Sequence, residues 1–185
     1  MEGIEALEKR LWRLESIDAI QRLQAHYSQL ADLKYSVDYQ RQAPAEMARV
    51  AREQAGCFCE DAIWHGAEFG GSLRGREALS EWFTQSPWCY AIHYYVSPLI
   101  EVDGKEARAQ WRLWQLALRE DNRQAVFLAA NVLATYRFIE DEGWRISSMR
   151  FCDVQLLPAA DMPLALAGSL ELLDARYSLS SGNTP

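Results

Sequence analysis

The side chains of His93, Asp32 and Tyr27 supply an imidazole, a carboxylate and a phenol, groups that proteins use in acid/base catalysis. His93 lies in segment 90–96, whose sequence is YAIHYYV. A histidine titrates near neutral pH and can therefore serve as a general base. The alternative interpretation is a core histidine whose ring is hydrogen-bonded to a carbonyl group.

Asp32 stands near the end of a predicted helix, between apolar residues. A negative charge is unfavourable at the C-terminal end of the helix dipole, so Asp32 is either a surface residue or the partner of a positive or hydrogen-donating group. Tyr27 lies on the apolar side of the same helix, and its hydroxyl needs a partner if it is buried. The two side chains are about 140° apart on a helix, so both reach one cavity only if the helix end forms its rim.

Further candidates for substrate binding are polar or aromatic residues in otherwise apolar strands. Gln115 interrupts the apolar face of segment 106–119, and Asn131 is its counterpart in the next strand, although each could instead pair across strands. Arg150 follows a predicted bulge near residues 147–148, which leaves the direction of its side chain open. Aromatic residues supply either cavity walls or core. The substrate-binding candidates are Trp64, Tyr95, Trp111, Gln115, Asn131 and Arg150.

The four cysteines do not predict a metal site. Cys57 and Cys59 are separated by a single residue, which suits neither a redox C-x-x-C pair nor the usual zinc spacing. A site that combines them with His65 is the alternative, but it lacks a second pair of ligands. We therefore expect no metal, and four reduced, mostly buried thiols.

Hydrophobic periodicity predicts helices in the first half of the chain and long strands in the second. Helical spacing covers residues 2–14, 16–33, 43–56 and 76–84, with Ser16 as the N-cap of the second helix and Pro44 opening the third. Strands are predicted over 59–65, 89–102, 106–119, 124–139 and 144–157. Asp103-Gly104 is a strong hairpin signal between two of them. The sequence thus predicts an α+β domain, with a meander of antiparallel strands behind helices.

Both faces of segment 124–138 are apolar. Val126 and Leu128 lie on one face, and Phe127 and Leu133 on the other. A sheet with one solvated face should instead alternate apolar and polar residues. We therefore expect a homo-oligomer, most simply a dimer in which a partner subunit covers the second face, although a C-terminal helix could also cover it.

Composition narrows the class of protein. The chain has 185 residues, 49% of them hydrophobic, which is enough for one domain with a substantial core. Its net charge of −7 and the lack of a basic stripe argue against nucleic-acid binding. The N-terminal residues do not resemble a secretory signal, and no apolar run approaches the length of a membrane span. The sequence therefore predicts a cytoplasmic protein with no membrane partner.

Several segments occur in an order and spacing that resemble a known family. They are Tyr27 and Asp32 on the opening helix, then 58–64, 75–79, His93, 97–104 with Ala107, and 143–146. Together they resemble the SnoaL-like branch of the nuclear transport factor 2-like superfamily, over roughly residues 7–157. The resemblance implies a SnoaL-like domain over 1–157 and a C-terminal extension over 158–185. That extension is expected to be partly helical, around 162–175, and disordered at its end.

The resemblance also implies a fold and a chemistry. The family fold is a cone-shaped, curved antiparallel sheet wrapped by N-terminal helices, with an apolar interior pocket. Members include scytalone dehydratase, bile-acid 7α-dehydratase and polyketide cyclases, and many use a His–Asp pair without metal or cofactor. The family's histidine matches His93, its helix acid matches Asp32, and the tyrosine five residues earlier matches Tyr27.

The implied function is a cofactor-independent lyase or isomerase, of the dehydratase or cyclase type, that acts on a hydrophobic cyclic small molecule. His93 would remove a proton, Asp32 would hold the imidazole, and Tyr27 would donate to a substrate oxygen. The alternative is a non-catalytic protein of the same family that only binds a hydrophobic small molecule, and a third option is a purely structural oligomerisation domain.

Overall fold

The computed structural model describes residues 2–66 and 71–159. Helix α1 (Glu2–Asp32) is continuous, so the prediction of two helices separated at Ser16 is wrong. No glycine or proline interrupts residues 4–32, and Ser16 is buried within the helix instead of capping its start. In the first half of α1 the apolar side chains at helical spacing, such as Leu7 and Leu11, are exposed. In the second half Ile20 and Leu30 are buried.

Two shorter helices agree with their predicted bounds to within one residue. Helix α2 (Pro44–Ala55) starts at a proline, which fits the first turn because its missing N–H would have no intrahelical partner there. Helix α3 (Arg76–Phe83) begins after Gly75, whose φ of 91° favours glycine.

Six strands form one mixed sheet in the order β2-β1-β6-β5-β4-β3. They are β1 (Phe58–His65), β2 (Ser72–Arg74), β3 (Trp88–Asp103), β4 (Glu106–Arg119), β5 (Ala125–Ile139) and β6 (Gly143–Pro158). Strands β3 to β6 are the predicted antiparallel meander, with each boundary within one residue of its prediction. The sheet is curved and unclosed, so the predicted α+β class is confirmed.

Two features of the sheet were not predicted. Strand β1 pairs with β6 in parallel, which makes the sheet mixed. The short strand β2 pairs with β1 over residues 72–74, where the sequence predicted neither a helix nor a strand. The partners β1 and β6 are distant in sequence, and β2 has only three residues. Hydrophobic periodicity predicts neither a pairing between distant strands nor so short a strand.

Bulges bend the long strands. Thr135 pairs with Ser148 and Tyr136 with Ile146, so Ser147 is an extra residue and the predicted bulge is confirmed. A second bulge in β6 contains Asp153, with φ of 51°, and one in β3 contains Ser97, with φ of 50°. Because a bulge adds a residue to one strand only, it bends that strand and increases its twist.

The core lies between the three helices and one face of the sheet, here called the inner face. Helix α1 packs on β3 and β6, α3 packs on β1, and α2 packs on α1 and α3. The fully buried side chains include Ile20, Phe58, Leu79, Val132, Ile146 and Met149. None of the helices in the described part of the chain is both long enough and apolar enough to span a membrane.

The predicted C-terminal extension lies outside the described residues. Strand β6 continues to Pro158, one residue beyond the predicted domain boundary. The helix expected around 162–175 and the disordered end stay predictions.

Candidate functional site

A cavity lies between the helices and the inner face of the sheet. Its volume is about 100 Å³. Eight of the eighteen residues that line it are tyrosine, tryptophan or phenylalanine, and the other polar side chains come from α2, β3, β4, the segment after α1 and the segment between α3 and β3. The aromatic residues in the lining are Tyr27, Tyr35, Trp64, Trp82, Phe83, Trp88, Tyr95 and Phe151.

His93 and Asp32 are in direct contact at the edge of this cavity. The His93 ring nitrogen Nδ1 lies 2.8 Å from Oδ1 of Asp32, and the His93 backbone N–H donates to the same oxygen over 3.0 Å. Both side chains are mostly buried, with 16% of His93 and 30% of Asp32 exposed. A carboxylate accepts hydrogen bonds, so Nδ1 is the donor in this contact, and in the neutral imidazole Nε2 would be the nitrogen that can take up a proton.

The position of His93 in the sheet explains why Asp32 can reach it. Strand β3 is an edge strand, so alternate backbone N–H groups face away from the sheet. The carboxylate on the last residue of α1 accepts the bond from one of these groups, and the helix packs on the same strand. The unfavourable position of an acid at a helix C-terminus is thereby offset by two hydrogen bonds.

Tyr27 and Tyr95 form an internal pair in the cavity wall. The hydroxyls of Tyr27 and Tyr95 interact with each other, and the Tyr27 hydroxyl also interacts with the side chain of Gln54. The two rings lie edge to face with centroids 5.9 Å apart. Burial raises the pKa of both phenols well above their usual value, so both are protonated at neutral pH.

Gln115 lies directly across from His93 in the next strand. Leu128 is the following neighbour in the same row on β5, and all three residues line the cavity. The amide nitrogen Nε2 of Gln115 is buried and has no hydrogen-bond partner among the described residues. The same is true of the indole nitrogen Nε1 of Trp64.

Three predicted substrate-binding residues are absent from the cavity lining. Trp111 is buried in the core, where its Nε1 donates to the hydroxyl of Tyr136 over 2.9 Å. Asn131 is on the outer face of the sheet and donates to Asp153 over 2.7 Å. Arg150 is exposed on the same outer face. Thus the structure brings together His93, Asp32, Tyr27, Trp64, Tyr95 and Gln115, and not these three.

The sequence interpretation missed Lys34. It follows the end of α1, where a lysine is normally a solvated complement to the helix dipole. Here it is buried and lines the cavity. Burial lowers the pKa of its ammonium group to about 8, an effect that the nearby Asp32 opposes and Arg41 reinforces. Nothing local in the sequence distinguishes this lysine from a surface one.

Gln54 was also missed, although the sequence contained a signal for it. It occupies the buried stripe of α2 together with Met47, Val50 and Ala51, at helical spacing from each. A polar residue on a buried stripe indicates a partner or a ligand. Its Oε1 atom is buried and has no hydrogen-bond partner within the described part of the chain.

The segment between α3 and β3 forms one side of the cavity and is tied to the loop after α1. The Tyr35 hydroxyl and Ser86 Oγ are 2.8 Å apart. The Arg41 guanidinium donates to the carbonyl oxygens of Ser86 and Trp88 and forms a salt bridge of 3.0 Å with Glu120. These bonds fix the cavity wall at residues 85–88.

The cysteines and acidic residues do not form a metal site within the described ranges. No group of three or more His, Cys, Asp or Glu side chains there could hold a metal ion. The four thiols are free, and those of Cys57, Cys59 and Cys89 are buried.

Residues 12–150 match the family model of the SnoaL-like domain. That range is most of the chain and contains both His93 and Asp32. A comparison with curated proteins finds none of significantly similar sequence.

Solved structures share this fold at low sequence identity. The hexachlorocyclohexane dehydrochlorinase LinA-type3 from Novosphingobium barchaimii LL02 has a TM-score of 0.65 and 20% identity, over 80% of this chain and 93% of that one. An NTF2-like protein with a cystatin-like fold from Novosphingobium aromaticivorans has a TM-score of 0.63 and 19% identity, over 94% and 97%. A candidate scytalone dehydratase from Novosphingobium aromaticivorans DSM 12444 has a TM-score of 0.61 and 16% identity, over 91% and 99%. At these identities the likeness shows the fold alone.

Proposed function

Because the chain belongs to the SnoaL-like family of the nuclear transport factor 2-like superfamily, we propose that it is a cofactor-independent lyase or isomerase. Its substrate is a hydrophobic cyclic small molecule, and its chemistry is acid/base catalysis by His93 with Asp32. The observation that carries the proposal is the 2.8 Å contact between His93 Nδ1 and Asp32 Oδ1 at the wall of an aromatic cavity.

His93 acts as the general base. Its Nε2 removes a proton from a carbon next to a carbonyl or a leaving group, and the electron pair of that C–H bond forms a new double bond. In a lyase the leaving group then departs, and in an isomerase the proton returns at another position. Asp32 holds the Nδ1–H and stabilises the imidazolium that forms. A positioned base of this kind accelerates proton transfer about 10²–10⁴-fold.

Tyr27 is the proposed hydrogen-bond donor to the substrate oxygen. Its phenol is protonated at neutral pH, because burial raises its pKa. In the proposed arrangement Tyr95 is the donor of the Tyr27–Tyr95 pair, which leaves the Tyr27 proton for an acceptor such as a carbonyl or developing enolate oxygen. Gln54 also interacts with this hydroxyl, but its acceptor atom Oε1 has no partner among the described residues, so Gln54 does not compete for the Tyr27 proton.

The chemistry of the cavity wall supports a hydrophobic substrate. Aromatic side chains hold rings by offset or edge contacts. The volume of about 100 Å³ is below the ~150 Å³ of an apolar cavity that binds benzene, so a ring substrate would extend through the cavity mouth. Two proteins that share this fold are named as a dehydrochlorinase and a candidate dehydratase, and both names denote elimination reactions.

Proton removal can be tested without knowing the leaving group. Cyclic ketones of one and two rings (cyclohexanone, 1-indanone and 2-tetralone) are first screened for binding by quenching of tryptophan fluorescence. Those that bind are incubated with the protein in D₂O, and loss of the α-proton signal is followed by NMR. We expect the wild type to exchange at least one ketone about 10²-fold faster than His93→Ala does.

His65→Ala is the matched control, because it removes a half-buried imidazole that does not line the cavity. It should exchange as fast as the wild type. Binding of a ketone without exchange that depends on His93 would favour the alternative, a protein that only binds its ligand. One observation supports that alternative. Asp32 accepts a hydrogen bond from the backbone N–H of His93 on the edge strand, so Asp32 also has a structural role that does not require catalysis. If no ketone of the panel binds, the proposed substrate class is wrong.

We also propose that the protein is a homodimer formed through the outer face of β4 and β5. Trp114 and Leu133 on this face are 53% and 45% exposed. Large exposed apolar side chains on neighbouring strands are typical of a surface that a partner covers. The cytoplasmic location stays a prediction.

A further inference from the structure

Lys34 is buried beside the cavity and has unused hydrogen-bonding capacity. Only 7% of the residue is exposed. Its ammonium group donates a long hydrogen bond, 3.5 Å, to the carbonyl oxygen of Phe83 and lies 5.6 Å from the centre of the Phe83 ring. An ammonium group has three N–H donors, so most of its donor capacity lacks a partner within the described residues.

The groups around Lys34 do not neutralise its charge. Asp32 attracts the ammonium group and Arg41 repels it, while His93 and Tyr35 share the cavity lining with it. The close partner of Asp32 is His93, and no carboxylate of the described part of the chain forms a salt bridge with Lys34. A pKa of about 8 leaves the amine mostly protonated at neutral pH, so it is a cation in an apolar setting.

The same cavity contains other donors without partners. Gln115 and Trp64 both line the cavity, and their nitrogen atoms Nε2 and Nε1 are buried and have no hydrogen-bond partner among the described residues. Gln115 is only 5% exposed. The Oε1 atom of Gln54 is an unpartnered acceptor in the same lining. Donors therefore outnumber acceptors, an arrangement that complements a ligand rich in acceptor oxygens.

From this arrangement we infer that Lys34 binds an anionic oxygen on a ring-containing ligand, either an ionised carboxylate or a phenolate. The aromatic wall holds the ring, and Gln115 and Trp64 donate to the remaining oxygen lone pairs. Lys34 thus determines specificity by favouring acidic over neutral ligands. The inference uses the proposed function only to locate the ligand site, and it does not require that His93 be catalytic.

One matched pair of probes and one dye test the inference on the full-length protein. Benzoate and benzamide have the same shape, but only benzoate is charged. 4-Nitrophenol reports its own ionisation through its absorbance near 400 nm, so it shows directly whether the bound form is the anion. The pair tests a carboxylate ligand and the dye tests a phenolate. Affinities are measured by quenching of tryptophan fluorescence or by calorimetry at neutral pH.

The wild type should bind benzoate about tenfold or more tightly than benzamide, or should bind 4-nitrophenol with its ionisation shifted to lower pH. Lys34→Met and Lys34→Gln should remove that preference and shift the dye toward its neutral form, while Lys9→Met, which changes an exposed lysine, should leave both unchanged. A merely structural Lys34 would not alter the ionisation of the dye. The inference is overturned if the wild type binds neither anion, or if both neutral variants keep the preference.

Discussion

Oδ1 of Asp32 accepts two hydrogen bonds from a single residue, one from the backbone N–H of His93 and one from its ring nitrogen Nδ1. The first bond fixes the end of α1 to the edge strand, and the second fixes the tautomer and direction of the imidazole. Folding and the proposed chemistry therefore depend on the same carboxylate oxygen. This double role makes Asp32 the most informative position for mutagenesis.

Asp32→Asn should lower the rate of ketone exchange by about 10²-fold or more, because a neutral amide cannot stabilise the imidazolium and its tautomer as a carboxylate does. The free energy of unfolding should fall by about 1–3 kcal/mol, since two hydrogen bonds lose their charged acceptor. NMR exchange and urea unfolding measure the two effects. Asp38→Asn, which changes an exposed loop aspartate, is the control and should alter neither. Exchange at the wild-type rate in Asp32→Asn would remove Asp32 from the mechanism.

Lys34→Met should stabilise the protein at neutral pH. Burial lowers the pKa of Lys34 from 10.5 to about 8, so between these values the unfolded chain binds the extra proton. Stability of the wild type therefore rises with pH through this window relative to the variant. The free energy of unfolding of the variant should exceed that of the wild type by up to about 3 kcal/mol below pH 8, and this difference should shrink toward pH 10.5.

Urea unfolding at about pH 7 and about pH 9.5 measures this difference. Lys9→Met is the control, because an exposed lysine should give no pH-dependent difference from the wild type in this range. Comparing each variant with the wild type at the same pH cancels the contribution of the buried tyrosines. An advantage of Lys34→Met that is the same at both pH values would show that Lys34 does not titrate in this window.

Trp114→Arg should dissociate the proposed dimer, because it places a charge at the centre of the apolar outer face. Light scattering after gel filtration should give twice the chain mass of 21.2 kDa for the wild type and a single chain for the variant. Val37→Arg is the control, because Val37 is 91% exposed and belongs to the loop after α1, outside β4 and β5. This variant should remain dimeric. A mass of one chain for the wild type at micromolar concentration would contradict the proposed interface.

Tyr136→Phe should destabilise the core without affecting ketone exchange. The Tyr136 hydroxyl accepts from Trp111 Nε1 over 2.9 Å and donates to Gln24 Oε1 over 3.0 Å. Its removal leaves two buried polar groups without a partner, at a cost of about 1–3 kcal/mol each. Urea unfolding measures the loss, and Tyr94→Phe at an exposed position is the control. Slower exchange in a folded Tyr136→Phe variant would indicate that the Trp111 network extends to the site.

The predicted elements that were confirmed depend on local signals. The bounds of β3 to β6 follow from alternating apolar residues and from turns such as Asp103-Gly104, where Gly104 has φ of 58°. The bulge at Ser147 was visible because alternation fails there. The match of residues 12–150 confirms the family that was inferred from the order of these segments.

Several features depend on contacts between residues that are far apart in the chain. The parallel pairing of β1 with β6 joins segments separated by about eighty residues, and periodicity carries no signal for it. The bulge at Ser147 changes which of the following side chains of β6 face inward, so Arg150 is on the outer face. The face occupied by Asn131 could likewise be decided only by the register of the complete sheet.

The sequence by itself therefore determined the α+β class, the meander of β3 to β6, the family and the identity of His93 and Asp32 as a candidate pair, because residue type and short-range spacing specify them. Only the tertiary structure decided that the pair is in contact at 2.8 Å and that Lys34 is buried beside it. The burial of Lys34 depends on Phe83 and the wall at residues 85–88, which lie about fifty residues away in the chain. The environment of a charged side chain is set by what packs around it, and a pattern of neighbouring residues does not contain that information.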